Sequence, residues 1–213
     1  MLTTENPVLF KVTAFVTRVY LGKTELLLFR HPNAGIQFPA GTVEEGELSE
    51  QAVLREIAEE TGVSSVRLVA NLGYLDTQPP GFRFILQKTG IYARPDLSSY
   101  DSTGFQLYRG TIVSLQCSKG EFAQVTYEEW DRFPEPQYLT CQITGWVPLR
   151  LLCGSSRRFF FHLEADESSP SVKDLPSVAT DNHIFQPFWA RLDALPDIVE
   201  PQREWLKWLS FAY

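Results

Sequence analysis

Gly41-Thr-Val-Glu-Glu-Gly-Glu47-Leu-Ser-Glu-Gln-Ala-Val-Leu-Arg55-Glu56-Ile57-Ala-Glu59-Glu60-Thr-Gly62-Val63 is the stretch that decides the fold. Ser49 stands where an N-cap belongs, Glu50 and Gln51 fill an acid-favouring first turn, and Gly62 suits the left-handed residue after a helix end. The stretch therefore predicts a helix of about three turns over Glu50 to Thr61. At about 100° per residue, Glu56, Glu59 and Glu60 share an arc of roughly 100°, and Val53, Leu54, Ile57, Ala58 and Thr61 fall on the other side. One face is acidic and the other is destined for a core. Three carboxylates at i, i+3 and i+4 repel one another on an isolated helix. A hard divalent cation removes that repulsion, and an all-oxygen donor set suits Mg²⁺ or Mn²⁺ far better than zinc. Arg55 lies four residues before Glu59 and is placed to pair with acids such as Glu47. Ahead of the helix, Phe38-Pro39-Ala40-Gly41 forms a small-residue turn in which backbone groups can approach a ligand and offer a carbonyl to a metal.

Working outward, Val8 to Tyr20 and Glu25 to Phe29 read as paired strands, the second closed by His31-Pro32-Asn33. Val66 to Leu75 reads as another strand, ended by the breaker Gln78-Pro79-Pro80-Gly81. Between Phe82 and Arg150 the text is β-rich. Thr111 to Cys117 and Phe122 to Tyr127 flank the turn signal Ser118-Lys119-Gly120-Glu121, and Tyr138 to Val147 adds a further strand. Phe159 to Leu163 is a short apolar run, as expected of a strand covered on both faces. A polar loop with no element is expected over Ala165 to Asn182, then a strand over His183 to Leu192 and an amphipathic helix over Arg203 to Phe211 carrying Trp205, Leu206, Trp208 and Leu209. There is no internal repeat.

With 213 residues, 44% of them hydrophobic and 13% aromatic, the chain has material for one cored domain plus an insertion. A net charge of −7 argues against a nucleic-acid polymer as the main partner, because backbone binding needs clustered Lys and Arg. Small phosphorylated ligands remain open, since a metal supplies the missing positive charge. No basic segment followed by an apolar core opens the chain, and no apolar run is long enough to span a bilayer, so a cytoplasmic protein with no membrane partner is expected. Cys117, Cys141 and Cys153 are an odd set without Cys-x-x-Cys spacing, read as reduced and mostly buried thiols.

The quoted stretch fills every position of the pattern Gly-x5-Glu-x7-Arg-Glu-U-x-Glu-Glu-x-Gly-U, with U a bulky aliphatic, through Gly41, Glu47, Arg55, Glu56, Ile57, Glu59, Glu60, Gly62 and Val63. Chance would produce it with a probability on the order of one in a million or less. In this the chain resembles the Nudix hydrolases. The resemblance implies an α/β/α sandwich with a mixed sheet, spanning 1–213 as one domain with a β-rich insertion at about 82–150. It also implies Mg²⁺-dependent hydrolysis of a nucleoside diphosphate linked to another moiety. Carried over residue by residue, Glu56, Glu59 and Glu60 are metal ligands, the Ala40 carbonyl is a further one, and Glu47 and Arg55 support the site. The family's catalytic base is often an acid beyond the box, and Glu164 or Glu167 is preferred over Glu128 and Glu129. The insertion offers itself for a substrate pocket or a homodimer interface.

Finer signals point to a nucleoside diphosphate sugar such as ADP-ribose. Members of the resembling family that cleave it tend to carry a proline about sixteen residues beyond the box, where Pro79 stands, although the acid that often follows Pro-Gly-Phe is replaced by Arg83. No four-cysteine module of the NADH-cleaving branch is visible, and the net acidity speaks against mRNA caps. Nucleoside triphosphates, dinucleoside polyphosphates and a non-catalytic nucleotide sensor are the alternatives. His183, Trp146, Phe188 and Trp189 are candidates for substrate contact, with core packing the default for the aromatic residues.

Overall fold

The computed structural model describes residues 7–99, 104–166, 177–180 and 183–209. Its chain divides into two compact units. One contains Lys11–Leu75, Arg132–Glu135 and the chain from Arg158 on, and so holds the whole quoted stretch. The other contains Asp76–Asp131, Pro136–Arg157 and the segment up to Phe10. In chain order the elements begin with β1 (Val8–Tyr20), β2 (Lys23–His31), β3 (Gly35–Gln37), β4 (Ala40–Thr42), α1 (Ser49–Thr61) and β5 (Val66–Thr77). Next come β6 (Phe82–Ile85), β7 (Thr89–Gly90), β8 (Gln106–Leu107), β9 (Ile112–Lys119), β10 (Phe122–Trp130), β11 (Leu139–Pro148) and β12 (Leu152–Cys153). The last are β13 (Ser155–Ala165), β14 (Val178–Thr180), β15 (His183–Arg191) and α2 (Leu206–Leu209).

The larger sheet runs in the order β14-β15-β2-β1-β13-β5, with β3 added to β2 and β4 to β1. Side-chain alternation along its central strands divides the box-bearing core into two faces. Val12, Ala14 and Val16 of β1, Leu27 of β2, and Phe161 and Leu163 of β13 pack with Ala52, Val53 and Ile57 of α1. The intervening Phe15, Leu26, Leu28 and Phe160 pack instead with Trp205 and Leu209. A sheet with helices on both faces is the expected α/β/α sandwich. The sheet is mixed: β1 meets β2 and β4 antiparallel, whereas Val12 and Thr13 meet Arg158, and Thr17 meets His162 and Leu163, so β1 and β13 run in parallel.

The helix begins one residue earlier than expected. Leu48 is the N-cap residue, and the Gln51 side chain reaches back to accept its N–H at 3.0 Å, so Ser49 lies inside the first turn. Gly62 closes the helix at φ 70°, donating its N–H to Ala58 O at 2.9 Å. The buried positions are Ala52, Val53, Ile57 and Thr61, while Leu54 and Ala58 face outward. At the C-terminus a 3₁₀ turn over Gln202–Trp205 precedes α2, so the expected helix starts tighter than α-helical geometry. The polar stretch after Ala165 contains β14, paired with β15 through Val178↔Phe185 and Thr180↔His183, which its composition did not announce.

The second unit carries a five-stranded sheet in the order β11-β10-β9-β6-β12 and the small pair β7-β8. The hairpin read from the sequence is its middle. β9 and β10 pair through Phe122↔Lys119, and Val113, Ala123 and Val125 are buried in a core with Ile85, Ile91 and Val147. All three cysteines are free thiols, but only Cys153 is buried and Cys117 is exposed, against the expectation that most are buried. Among the described residues no helix is long and apolar enough to cross a membrane.

Candidate active site

β4 places the small-residue turn beside β1 through Val12↔Gly41 and Thr13↔Ala40, and α1 brings its acidic face to the same place. The Ala40 N–H donates to Glu60 Oε2 at 2.9 Å. Gly41 is required by contact: a Cβ built there would fall on the Glu56 carboxylate, closer than real Cβ atoms come to anything. The glycine opening the motif is thus the space in which Glu56 sits. Ahead of it, the Gln202 Oε1 accepts the Phe38 N–H at 2.7 Å and Gln202 Nε2 donates to Gln37 Oε1 at 3.1 Å, fixing the turn from the C-terminal side.

Arg55 organises the outer half of the cluster. Its Nε and Nη2 donate to the two oxygens of Glu47 at 2.9 and 3.0 Å, Nη1 donates to Glu56 at 2.9 Å and Glu59 at 3.0 Å, and Nη2 also reaches Thr42 O at 3.1 Å. Glu47 in turn accepts the Glu44 N–H at 2.9 Å. The Arg55 hydrogen bond holds the Glu47 carboxyl below its ordinary range, and Glu47 foremost pushes Arg55 up. Glu56 and Glu60 behave oppositely. Burial raises both, Glu60 well above the ordinary glutamate value, against the lowering effects of Arg55 on Glu56 and of the Ala40 N–H on Glu60.

The structure thus brings together Glu47, Arg55, Glu56, Glu59, Glu60 and the Ala40 backbone. It does not gather three acids into one cage: among the described residues no three His, Cys, Asp or Glu side chains are close enough to enclose an ion. Glu59 explains part of this, since its side chain is 47% exposed and turned to Arg55, whereas that of Glu56 is 12% exposed. The donor set nevertheless fits a hard cation. Two carboxylates, Glu56 and Glu60, lie in desolvated positions where their negative charge is under-compensated, and Glu59 stands on the same helix face, held by Arg55.

Sequence reasoning missed Arg158. It lies largely buried on β13, with Nη1 donating to Val12 O at 2.8 Å and Thr13 Oγ1 at 2.9 Å, and its guanidinium 4.5 Å from the Trp205 ring centroid. Burial lowers it to about 10, against the attraction of Glu56 and Glu60. No motif marks it; the one available signal was a charged residue immediately before an apolar strand run. Glu164 lies six residues further along β13, about 20 Å at strand rise, where it pairs with Arg67 and acts on His162. That placement is at odds with its expected role as base beside the box acids. Glu167 lies outside the described residues. Glu128 accepts from Gln142 at 2.8 Å across β10 and β11, in the other unit. Trp189 is buried between β15 and α1 and so packs rather than presents a face to a base, and Trp146 is half-buried in the other unit, its backbone paired with that of Tyr92.

A three-layer sandwich carrying this acid cluster at the junction of β4 and α1 is the architecture of a Nudix-type hydrolase. The family model described as NUDIX domain matches residues 9–133, and the chain belongs to that family, whose members generally use divalent metal ions. Over 98 residues it is 48% identical to the NAD-capped RNA hydrolase NudC of Haemophilus influenzae strain PittGG, covering 43% of this chain and 33% of that protein. Over 55 residues it is 51% identical to the RNA pyrophosphohydrolase of Caulobacter vibrioides, covering 24% and 28% respectively. The chain spans about a third or less of the length of these curated relatives. Among solved structures, the NUDIX domain of Shewanella oneidensis NrtR complexed with ADP ribose aligns over 100% of this chain and 92% of that one, with a TM-score of 0.43 and 13% identity.

Proposed function

We propose that this chain is a Mg²⁺-dependent pyrophosphohydrolase that cleaves a nucleoside diphosphate linked to another moiety. The observation that carries the reading is the seating of two desolvated carboxylates, Glu56 and Glu60, against Gly41 and the Ala40 N–H, with Arg55 tying Glu47, Glu56 and Glu59 together. A sensor module has no need to hold acids in positions that raise their pKa, whereas a hydrolase does. Glu56, Glu60 and, after release from Arg55, Glu59 would hold the cation. Bound there, a divalent ion supplies positive charge to the pyrophosphate and acidifies water at neutral pH. Glu47 keeps the Arg55 fork aligned through its bidentate contact, and Arg55 sets the orientation of Glu56. The Ala40 N–H fixes which oxygen of Glu60 faces the turn.

For the substrate, the nucleoside diphosphate sugars of the ADP-ribose type are the first choice, from the Pro79 turn after β5. A second reading, pyrophosphate bonds at RNA 5′ ends, is favoured by the identity to relatives named for NAD-capped RNA and RNA pyrophosphate hydrolysis. Both contain the same bond. The test is product chromatography over ADP-ribose, nucleoside triphosphates, dinucleoside polyphosphates, NADH and NAD-capped and triphosphate-ended short RNA, with Mg²⁺ and with chelator. Metal-dependent turnover of at least one, lost in Glu56→Gln and Glu60→Gln variants of normal circular dichroism, is expected. No turnover of any member, or turnover untouched by both substitutions, would overturn the reading. An RNA end preferred at least tenfold over ADP-ribose would select the second substrate.

A further inference from the structure

Two guanidinium groups act on the box acids, and they are committed differently. Arg55 is spent: each of its nitrogens donates to Glu47, Glu56, Glu59 or Thr42. Arg158 is held but not spent. Nη1 uses its hydrogens on Val12 O and Thr13 Oγ1, and the planar group lies over Trp205, so its position and plane are set. Its Nε–H and Nη2–H groups have no protein acceptor among the described residues. The place is specific. Thr13, which accepts from Arg158, pairs across the strands with Ala40, which donates to Glu60, so the guanidinium and the Glu60 carboxylate each stand one hydrogen bond from the same residue pair. Its charge is felt by both Glu56 and Glu60.

We propose that Arg158 is the fixed phosphate anchor of this site, its open Nε–H and Nη2–H edge taking non-bridging oxygens of the substrate's pyrophosphate. The inference rests on the hydrolase reading for its substrate class. A preset guanidinium suits this role because its planar fork matches phosphate geometry, and little rotamer freedom remains to be lost when it binds. A pyrophosphate entering a cluster of four box acids needs a cation that those acids have not already taken. Arg55 cannot serve without releasing them.

The test uses the intact chain and inorganic pyrophosphate as probe, by titration calorimetry with and without Mn²⁺, alongside Mn²⁺ titration alone and steady-state kinetics. Arg158→Met should weaken pyrophosphate about tenfold or more, as expected for the loss of charge-assisted hydrogen bonds. It should raise KM more than it lowers kcat, and it should leave Mn²⁺ affinity unchanged or tighter. Arg158→Lys keeps the charge without the fork and should recover part of the binding. If Arg158→Met fails to fold, the lysine variant decides, with about three- to tenfold weaker pyrophosphate expected. Pyrophosphate binding equal to the unsubstituted protein in a folded variant, or a loss confined to Mn²⁺ affinity, would overturn the proposal and leave Arg158 an internal counter-charge. Should the protein bind pyrophosphate in the Arg158-dependent way yet hydrolyse no substrate, the hydrolase reading fails while the anchor stands.

Discussion

Gly41→Ala separates the stability of this fold from its chemistry. The added methyl would fall on the carboxyl end of Glu56, so that end must retreat by more than about 1 Å to reach an ordinary van der Waals separation of about 3.5 Å. Gly41 does not sit in the left-handed region, so alanine fits its backbone there, and the stiffer unfolded chain favours folding by about 0.4–1 kcal/mol. Against this stands the Arg55 to Glu56 contact at 2.9 Å, a charge-assisted bond worth about 1.5–3 kcal/mol. The displaced carboxylate also regains water, which relieves the burial that raises its pKa and offsets part of that loss. The net change in stability should therefore be within about 1–2 kcal/mol, a Tm shift of only a few degrees for a chain of this size. A misplacement of about 1 Å at a metal ligand costs catalysis on the order of a hundredfold. Thermal unfolding by circular dichroism, Mn²⁺ titration and kcat on the preferred substrate, measured on the same preparation, check the argument. A variant with unchanged Tm, Mn²⁺ affinity and kcat would show that the position of Glu56 does not matter, and would remove the metal-ligand assignment with it.

Four other outcomes follow from the same geometry. The carboxyl of Glu60, raised by burial, binds a proton more tightly folded than unfolded; its contribution is therefore complete below the ordinary glutamate range and lost as pH rises through its raised folded value. In chelator, the unsubstituted protein should lose stability relative to Glu60→Gln as pH climbs from about 4.5 towards neutrality, and parallel Tm curves for the two would contradict this. Mn²⁺ at a hundred times its Kd should restore about 2.7 kcal/mol near pH 7, readable as a rise in Tm that Glu60→Gln lacks. Arg55→Met strips Glu47, Glu56 and Glu59 of their shared partner and should cost about 1–3 kcal/mol after solvent screening of a partly exposed network; denaturant unfolding measures it, and lysine should fail to rescue because it cannot span both Glu47 oxygens. Ile57→Ala empties a fully buried position between α1 and the sheet and should cost about 2–5 kcal/mol, a loss that a midpoint unchanged in urea would refute.

The parts of this molecule legible in its sequence are those whose cause is local. The α1 helix declares itself through its first-turn residues, its 3.6-residue periodicity and Gly62, and β1 through a run rich in β-branched and aromatic residues whose bounds are those of the strand. The N-cap slipped by one because Gln51 reaches back to the Leu48 N–H, a contact that makes an apolar residue serve where serine looked better. The short strands β3, β4, β6 and β14 carry too few residues to show a period and exist through the ladders they join, so only tertiary pairing reveals them. The same distinction runs through the site. Glu47, Arg55, Glu56, Glu59 and Glu60 are near in sequence and their geometry follows from one helix and one turn. Arg158 comes from a strand far along the chain, and its meaning depends on β13 lying parallel to β1, which brings residue 158, not 164, to the level of Val12 and Thr13. An antiparallel pairing through the same Thr17 and His162 contact would have set Asp166, not Arg158, opposite Thr13. Strand direction, which no short motif encodes, is thus what sets a cation instead of an acid beside Glu60.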